Sequence, residues 1–334
     1  MAHLQETRAV LFEAANRVAI RDVPLPPLRE NELLIENEYS AISVGTERWC
    51  LLGELHPPGE APTPFPFVPG YQAAGVVLEV GPAVQGFVRG DRVFSVNGRL
   101  DPSGPHSCWG GHMHYHVAQP ESVLKLPADV STREASYLVL AQVGFNGATQ
   151  PPVGPNDTVV VIGDGLVGQW AAQVFRHRGA HVLLAGHHDD RLALAARWSA
   201  DEVVNTHHED LAALVRRRWP QGVQIAAESA SRSMLIRQAI HLLEYHGKLV
   251  LLGYYPEGEC LLDIHWVRER ETTVYCPNSW ARPRLKGTLD LVGRGRMHVE
   301  ELITHELPAE RAADAYRLIV QKSEPFLGIV LRWN

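Results

Sequence analysis

A run of apolar, mostly β-branched residues leads into three spaced glycines between Thr158 and Gly168, and an amphipathic segment follows at 169–178. Such glycines permit a tight turn, close approach of a ligand to the backbone, and close packing of a helix on a strand. The free N–H groups at the start of the helix would face an anion. Glycine spacing alone also occurs in ordinary loops, but the strand and helix context favours a dinucleotide pyrophosphate. The predicted contacts are Gly163, Asp164, Gly165, Leu166, Val167 and Gly168.

Strand and helix patterns alternate around this motif. The predicted strands are 158–162, 181–185, 202–205, 223–228 and 248–252, and the predicted helices are 165–178, 189–198, 209–218 and 232–245. A capping box of Ser131 and Glu134 predicts one more helix, which ends at Pro151. This alternation requires a parallel sheet that helices cover on both faces. The predicted fold class is α/β, with a Rossmann domain over 129–280.

Short β-rich runs separated by turns occupy the first third of the chain. They are 8–12, 17–22 and 32–40, followed by turn-and-strand patterns at 68–81 and 90–94. This arrangement predicts a barrel-like antiparallel domain over 1–128. Helical spacing at 282–292 and 308–322 and a closing strand at 326–331 indicate that 281–334 returns to this first domain.

The composition indicates a globular enzyme rather than a nucleic-acid or membrane protein. Hydrophobic residues make up 45% of the 334 residues, charged residues 21%, and the formal net charge is -7. No apolar stretch reaches about 18 residues, and the N-terminus does not resemble a signal peptide. The four cysteines are scattered and are interpreted as free thiols. We expect a cytoplasmic protein with a small-molecule substrate.

Three motifs carry a resemblance to a known family. They are Pro69-Gly70-Tyr71 through Val80-Gly81, Gly90-Asp91-Arg92-Val93, and Gly110-Gly111 followed by Tyr115-His116-Val117. In this order, with the glycine turn after them, they resemble the medium-chain dehydrogenase/reductase superfamily of alcohol dehydrogenases and quinone reductases over essentially the whole chain. The resemblance implies a GroES-like catalytic domain, a substrate and nicotinamide cleft between the domains, and a homodimer joined through the cofactor domains.

The chain departs from the zinc-dependent members of that superfamily. Val44 stands at the first cysteine ligand, Tyr71 at the histidine ligand, and Leu140 best matches the last ligand. Valine and leucine cannot bind zinc, and tyrosine binds it poorly. The segment 95–117 contains Cys108 as its one cysteine, so the structural zinc lobe is also missing. We therefore expect no metal.

Without a metal, other groups must stabilise the oxygen that gains charge during hydride transfer. Thr46 aligns with the hydroxyl residue that relays protons in the superfamily. Tyr71 is either a proton donor or a packed aromatic residue of the cleft. Glu47 is either an acid/base group or a carboxylate that fixes its loop, and the structural role is favoured. Trp49 is either a contact for an apolar or ring-shaped substrate or a core aromatic residue.

The alternating histidines His112, His114 and His116, with His106 nearby, would share one face if they lay on a strand. Such a set could bind a metal through its imidazoles. No carboxylate or cysteine is interleaved, however, and the superfamily uses this segment as a structural strand. Hydrogen-bonded or solvated histidines are therefore the favoured interpretation.

The end of the second Rossmann strand bears on the choice of cofactor. NAD enzymes place an acidic residue there to hold the ribose, but Gly186 takes that position in this chain. A glycine leaves room for a 2′-phosphate, which His187, His188 and Arg191 could contact. NADP is therefore favoured over NAD, although Asp189 and Asp190 weaken the argument. Secondary cofactor candidates follow later strands: Ser229, Gly253 and Tyr254.

The leading functional hypothesis is a zinc-independent NAD(P)-dependent oxidoreductase that interconverts an alcohol and a carbonyl. The loop containing Thr46 is similar to that of bacteriochlorophyllide dehydrogenase-like members, which suggests a ring-containing or secondary-metabolite substrate. One alternative is an NADPH-dependent quinone or enone reductase, which also needs no zinc. The other is a cofactor-binding protein without catalytic activity, since fold alone does not establish function.

Overall fold

The computed structural model describes residues 4–55, 62–255, 258 and 260–334. The strands, in chain order, are β1 (Glu6–Ala14), β2 (Arg17–Pro24), β3 (Leu33–Ala41), β4 (Phe67–Val68), β5 (Ala73–Val80), β6 (Arg92–Ser95), β7 (His106–Ser107), β8 (Tyr115–Ala118), β9 (Val123–Lys125), β10 (Thr158–Ile162), β11 (His181–Gly186), β12 (Glu202–Asn205), β13 (Val223–Glu228), β14 (Leu243–Leu251), β15 (Thr273–Tyr275), β16 (Ile303–Pro308) and β17 (Gly328–Arg332).

The α-helices, in chain order, are α1 (Val44–Leu52), α2 (Thr132–Ala135), α3 (Leu138–Thr149), α4 (Leu166–His177), α5 (Asp189–Trp198), α6 (Leu211–Arg218), α7 (Ser233–Leu242), α8 (Ile264–Glu269), α9 (Arg282–Gly293) and α10 (Ala312–Gln321). No helix in the described part of the chain is both long and apolar enough to cross a membrane.

The chain divides into two compact units. Unit 1 comprises Met1–Val139 and Ile303–Asn334, and unit 2 comprises Leu140–Leu302. These bounds differ from the sequence prediction, which ended the first domain at 128 and began the return at 281. Helix α9 belongs to unit 2, where Gly287 packs closely against the ring of Phe145. The return to unit 1 therefore begins with β16.

Unit 1 contains two β-sheets and the packing helix α10. One sheet has the order β2-β1-β4-β7, and the other has the order β16-β17-β3-β5-β6-β9 with β8 paired to β3. Helix α10 buries Ala312, Ala315, Tyr316 and Ile319. Their spacing places them on one face of the helix. The Tyr316 ring packs edge-on against Phe12 with centroids 4.9 Å apart. Helix α10 and β1 thus share one apolar core.

Unit 2 is built on a six-stranded parallel sheet with the order β12-β11-β10-β13-β14-β15. All five residues of the central strand β10 are buried, as expected for a strand that is covered on both faces. The sequence prediction of an α/β Rossmann fold together with a GroES-like domain is confirmed.

Two predicted elements have different bounds in the structure. The helix expected from Ser131 to Pro151 is split into α2 and α3, and at the break the Tyr137 N–H bonds to the Glu134 carbonyl three residues back. The predicted cap is present, since Ser131 accepts a hydrogen bond from the Glu134 amide. The helix expected to end at 245 ends at Leu242, because Leu243 already pairs with Val223 of β13.

Candidate active site and cofactor site

The glycine turn of unit 2 joins β10 to α4, and each glycine has a distinct environment. Gly163 has φ 122°, a conformation that favours glycine. A Cβ at Gly168 would lie 2.2 Å from the Gly163 carbonyl oxygen, whereas one at Gly165 would have no protein atom within 4 Å. Gly165 is the N-cap residue of α4, and no side chain at this position bonds to the first backbone N–H groups of the helix. The backbone at Gly165 is therefore open to an incoming anion at the start of a helix.

The carboxylate of Asp164 is buried and organises the end of β11. It accepts hydrogen bonds from the backbone N–H groups of His187 at 2.8 Å and His188 at 3.0 Å, and from His188 Nδ1 at 3.0 Å. Burial acts to raise the pKa of Asp164, but these hydrogen bonds outweigh it and hold the pKa below its usual value. Asp164 therefore ties the glycine turn to the next strand.

The position of Asp164 gives a different reason for the glycine at 186 from the one that the sequence suggested. A Cβ at Gly186 would lie 2.4 Å from the Asp164 Oδ2 atom. The space beside Gly186 is therefore occupied by a carboxylate of the protein. The interpretation that Gly186 leaves room for a 2′-phosphate is wrong, because the glycine accommodates Asp164 instead. Asp189 is exposed and accepts a hydrogen bond from Asn205.

Cationic and titratable groups gather around Asp164. The rings of His187 and His188 lie 4.0 Å apart, and His207 lies 5.1 Å from His187. The Arg191 guanidinium is 3.6 Å from the Asp164 carboxylate. Burial and the neighbouring His188 lower the pKa of His187. In the described part of the chain, Asp164, His187 and His188 are the one group of three side chains close enough to share a metal ion.

The loops after β13 and β14 are tied together by buried polar groups. Ser229 donates its hydroxyl to the Ile162 carbonyl at 3.1 Å, so it braces the glycine turn. Glu228 is fully buried, accepts the Ala230 amide at 2.8 Å and bonds to the Tyr255 hydroxyl, and burial raises its pKa. Gly253 is packed against Ser231, which places these two loops in contact. Glu228 was not among the candidates chosen from the sequence, although it stands beside Ser229 at the carboxyl end of an apolar strand.

Tyr254, the remaining secondary candidate, is partly exposed and donates its backbone N–H to the Ser231 hydroxyl. Leu166 is buried and Val167 half-buried in the first turn of α4. These residues therefore shape the turn through packing and backbone geometry.

In unit 1, Glu47 lies on α1 and is fully buried. Its carboxylate accepts the Ser43 N–H at 2.8 Å, lies 2.8 Å from His112 Nε2, and accepts the Tyr316 hydroxyl. His112 Nδ1 in turn lies 2.8 Å from the Ser40 hydroxyl. A buried carboxylate with these partners joins α1 to two other parts of unit 1.

Thr46 and Tyr71 lie together beside this network. Tyr71 is 5% exposed, and its hydroxyl is hydrogen-bonded to the side chains of Ser43 and Thr46. Burial, together with the nearby Glu47 charge, outweighs these bonds and raises the pKa of Tyr71 above its usual value. Thr46 is half-buried, so it is the more accessible hydroxyl of the set. Trp49 is half-buried on the same helix.

The histidines 112, 114 and 116 do not form a shared metal site. Only His116 lies on β8, where it is buried with Nδ1 3.0 Å from Asn37 and Nε2 3.0 Å from Ser95. Burial lowers its pKa to about 4. His114 faces Glu36 at 3.4 Å, and His106 is exposed on β7. Each histidine therefore has its own partners.

The residues at the superfamily's zinc-ligand positions do not fit a zinc ion. Val44 and Leu140 are half-buried and carry no donor atom, and the Tyr71 hydroxyl is engaged with Ser43 and Thr46. The four cysteines, Cys50, Cys108, Cys260 and Cys276, are free thiols.

Comparison with known proteins agrees with this architecture. Residues 29–128 match the alcohol dehydrogenase GroES-like domain, and residues 167–292 match the zinc-binding dehydrogenase family. The chain is 29% identical to an alcohol dehydrogenase of Rhizobium meliloti, covering 87% of this chain and 89% of the relative. It is 25% identical to an uncharacterised zinc-type alcohol dehydrogenase-like protein of Escherichia coli, covering 90% and 91%.

A solved structure has the same fold. It is a putative zinc-binding dehydrogenase of Sinorhizobium meliloti bound to NADP, with a TM-score of 0.84, 22% identity, and coverage of 99% of this chain and 100% of that one. The chain belongs to the medium-chain dehydrogenase/reductase superfamily, as its motifs predicted. It is an NAD(P)-dependent oxidoreductase of the alcohol dehydrogenase type.

The glycine turn yields a paired test. Gly168→Ala places a methyl group against backbone, so we expect the thermal midpoint of the ligand-free protein to fall by several degrees. Gly165→Ala meets no protein atom, so we expect an unchanged midpoint but at least tenfold weaker NADPH binding. Differential scanning fluorimetry and fluorescence titration measure the two effects. Unchanged NADPH affinity in Gly165→Ala would show that the pyrophosphate does not approach this backbone.

Proposed function

We propose that this protein is a zinc-independent, NADP-linked oxidoreductase that interconverts an alcohol and a carbonyl on a small or ring-containing substrate. The observation that carries the proposal is the hydroxyl set of Ser43, Thr46 and Tyr71 at the position where the superfamily holds its metal. Val44 offers no ligand there. A hydrogen-bond donor set can take over the stabilisation of a developing oxyanion.

The chemistry divides between cofactor and protein. The nicotinamide, when bound, gives or receives the hydride. In the reducing direction, the accessible Thr46 hydroxyl holds the substrate oxygen and donates its proton as negative charge develops on that oxygen. Tyr71 then passes a proton to Thr46 and regains one from solvent, so the proton consumed by the reduction comes from water. Because burial raises the pKa of Tyr71, the phenol is protonated through the neutral range before and after each turnover.

Glu47 acts in this proposal as a positioning residue. Its hydrogen bond with the Ser43 N–H fixes the residue that precedes α1, and Ser43 in turn bonds to Tyr71. Trp49, on the same helix, would contact the apolar part of the substrate. Aromatic rings provide large contact area with few rotatable bonds, which suits a ring-shaped ligand.

The metal and the hydroxyls can be tested together. We expect purified active enzyme to contain far less than one zinc per chain and to keep its activity after treatment with a chelator. Thr46→Val and Tyr71→Phe should each lower kcat by roughly 100-fold with NADPH affinity unchanged. Thr46→Ser, which retains the hydroxyl, serves as the matched control and should remain active.

Elemental analysis and steady-state kinetics supply these measurements, and product analysis on ketones and enones separates carbonyl from C=C reduction. One zinc per chain in chelator-sensitive enzyme would overturn the zinc-independent proposal. Full activity of both variants that lack a hydroxyl would contradict the proposed proton relay. NADPH binding without any turnover would favour a non-catalytic protein.

The preference for NADP rests on the cationic groups near the end of β11. His187, His188, His207 and Arg191 surround the single buried carboxylate of Asp164. The solved relative from Sinorhizobium meliloti holds NADP. The Arg191 guanidinium and the N–H groups of the histidine rings are donors that a 2′-phosphate could contact, and this supports NADP over NAD.

This arrangement makes the NADP preference dependent on pH. Because the pKa of His187 is lowered, its ring is mostly neutral at pH 8 and gains a proton as the pH falls. Because the lowered pKa places protonation of His187 below pH 6.5, we expect the NADPH affinity relative to NADH to change little between pH 8 and pH 7 and to increase several-fold from pH 7 to pH 5.5, measured by fluorescence titration. In the His187→Asn variant, the ratio of NADPH affinity to NADH affinity should no longer change with pH. Parallel pH profiles for NADPH and NADH in the unaltered enzyme would contradict the proposed role of His187.

We also propose a homodimer and a cytoplasmic location. Strand β15 lies at one edge of the six-stranded sheet. The segment preceding it exposes Leu261 at 86% and Ile264 at 73%, an apolar surface that suits a partner copy. Light scattering should therefore give twice the chain mass of 37.0 kDa, and Leu261→Asp with Ile264→Asp should give the single-chain mass. A single-chain mass for the unaltered protein at micromolar concentration would refute the dimer.

Free thiols suit a reducing compartment, and cell fractionation tests the location.

A further inference from the structure

Two cysteines of unit 1 lie close together without a disulfide. The Sγ atoms of Cys50 and Cys108 are 3.9 Å apart, although the residues are 58 positions apart in the chain. Both side chains are buried. Cys50 lies on α1, and Cys108 follows β7. The fold therefore brings two thiols from separate elements into direct contact.

The thiol pair lines a cavity of about 220 Å³. Thr63, Ser107, Phe67 and Trp109 are among its other lining residues. A water molecule occupies about 30 Å³ of liquid volume, so the cavity has room for a small polar oxidant such as hydrogen peroxide. The buried thiols are therefore within reach of a small reactant.

The surroundings of the two sulfur atoms differ. Cys108 is hydrogen-bonded to the Cys50 thiol and to the side chain of Thr63, and these bonds lower the pKa of Cys108 although burial opposes them. The interaction with Cys108 and burial raise the pKa of Cys50. Thiolate is the nucleophilic form of cysteine. Cys108 is therefore the attacking sulfur and Cys50 the resolving one.

We propose that Cys50 and Cys108 form a redox site that a peroxide converts reversibly to a disulfide, and that this disulfide lowers the activity proposed above. The Cys108 thiolate attacks one peroxide oxygen, the O–O bond breaks, and a sulfenic acid and, after protonation, water are formed. The Cys50 sulfur then attacks the Cys108 sulfur, the S–O bond breaks, and a second water leaves. Two thiols are oxidised by two electrons, hydrogen peroxide is reduced to two waters, and a dithiol reductant restores the thiols.

Disulfide formation must move the elements that carry the proposed catalytic groups. The two sulfur atoms have to approach from 3.9 Å to a bond length of about 2.05 Å. Helix α1 carries Thr46 as well as Cys50. On the other side, the Cys108 N–H is bonded to the Val68 carbonyl at 2.9 Å, and the neighbouring Trp109 ring packs edge-on against Tyr71 at 5.2 Å. The bond would therefore shift α1 relative to Tyr71, and this consequence rests on the proposed function.

The remaining cysteines allow a controlled experiment. A Cys260→Ser, Cys276→Ser variant retains only the thiol pair and should keep the unaltered protein's activity. With equimolar hydrogen peroxide, we expect its intact mass to fall by about 2 Da, for the two hydrogens lost, and a peptide linking Cys50 to Cys108 to appear under non-reducing conditions. Activity should fall at least fivefold and return with dithiothreitol. Adding Cys108→Ser should abolish both the cross-link and the sensitivity to peroxide.

Two outcomes would overturn the proposal. One is oxygen addition at either cysteine without a cross-link, which would show that the sulfur atoms do not approach each other. The other is a cross-link that leaves turnover unchanged, which would show that the disulfide does not displace the groups on α1 that the reaction needs. If the protein proves inactive with every carbonyl tested, the mass measurement still decides whether the disulfide forms, and the tryptophan fluorescence of the oxidised protein reports whether the region around Trp109 moves.

Discussion

The buried carboxylate of Glu47 is the constraint on which the region of unit 1 around α1 depends. A charged group removed from water is stable only when hydrogen bonds replace its hydration. Glu47 obtains them from the nearby Ser43 backbone and from two side chains that are distant in sequence, His112 and Tyr316. Those bonds fix the start of α1, and with it the position of Thr46. The location of the hydroxyl proposed to react is thus set by a group that the substrate need not touch.

In the proposed zinc-independent reaction, the same constraint would take over part of the role of a metal. A bound cation positions its ligands and supplies positive charge. Here positioning comes from the Glu47 network, and polarity comes from hydroxyl groups that are already hydrogen-bonded to one another. Preorganised donors need little rearrangement when charge develops, and this is the main requirement for electrostatic stabilisation in a site shielded from water. The buried Tyr71 phenol suits this environment because a neutral donor is less costly to bury than a charged one.

The sequence predicted features that depend on neighbouring residues better than those that depend on distant contacts. The Rossmann fold was predictable because strand periodicity, glycine spacing and the Ser131 cap are local signals. The partners of Glu47 were not, since His112 and Tyr316 are 65 and 269 residues away. His112 was considered only as one of an alternating set, and the structure places it in a separate network. The split of the predicted helix at Ser136 is likewise not signalled by local propensity.

Gly186 shows how an inference from alignment position can fail even when the residue matters. The missing side chain suggested space for a phosphate, but in the structure that space holds the Asp164 carboxylate, which belongs to the glycine turn itself. An acidic residue within the turn therefore requires a glycine at the end of the neighbouring strand. The carboxylate also draws His188 and Arg191 toward it. The contribution of Arg191 to phosphate binding is reduced by the Asp164 charge that it already partly neutralises. The proposed preference for NADP thus depends on the balance of charge around Asp164 and not on empty space beside Gly186.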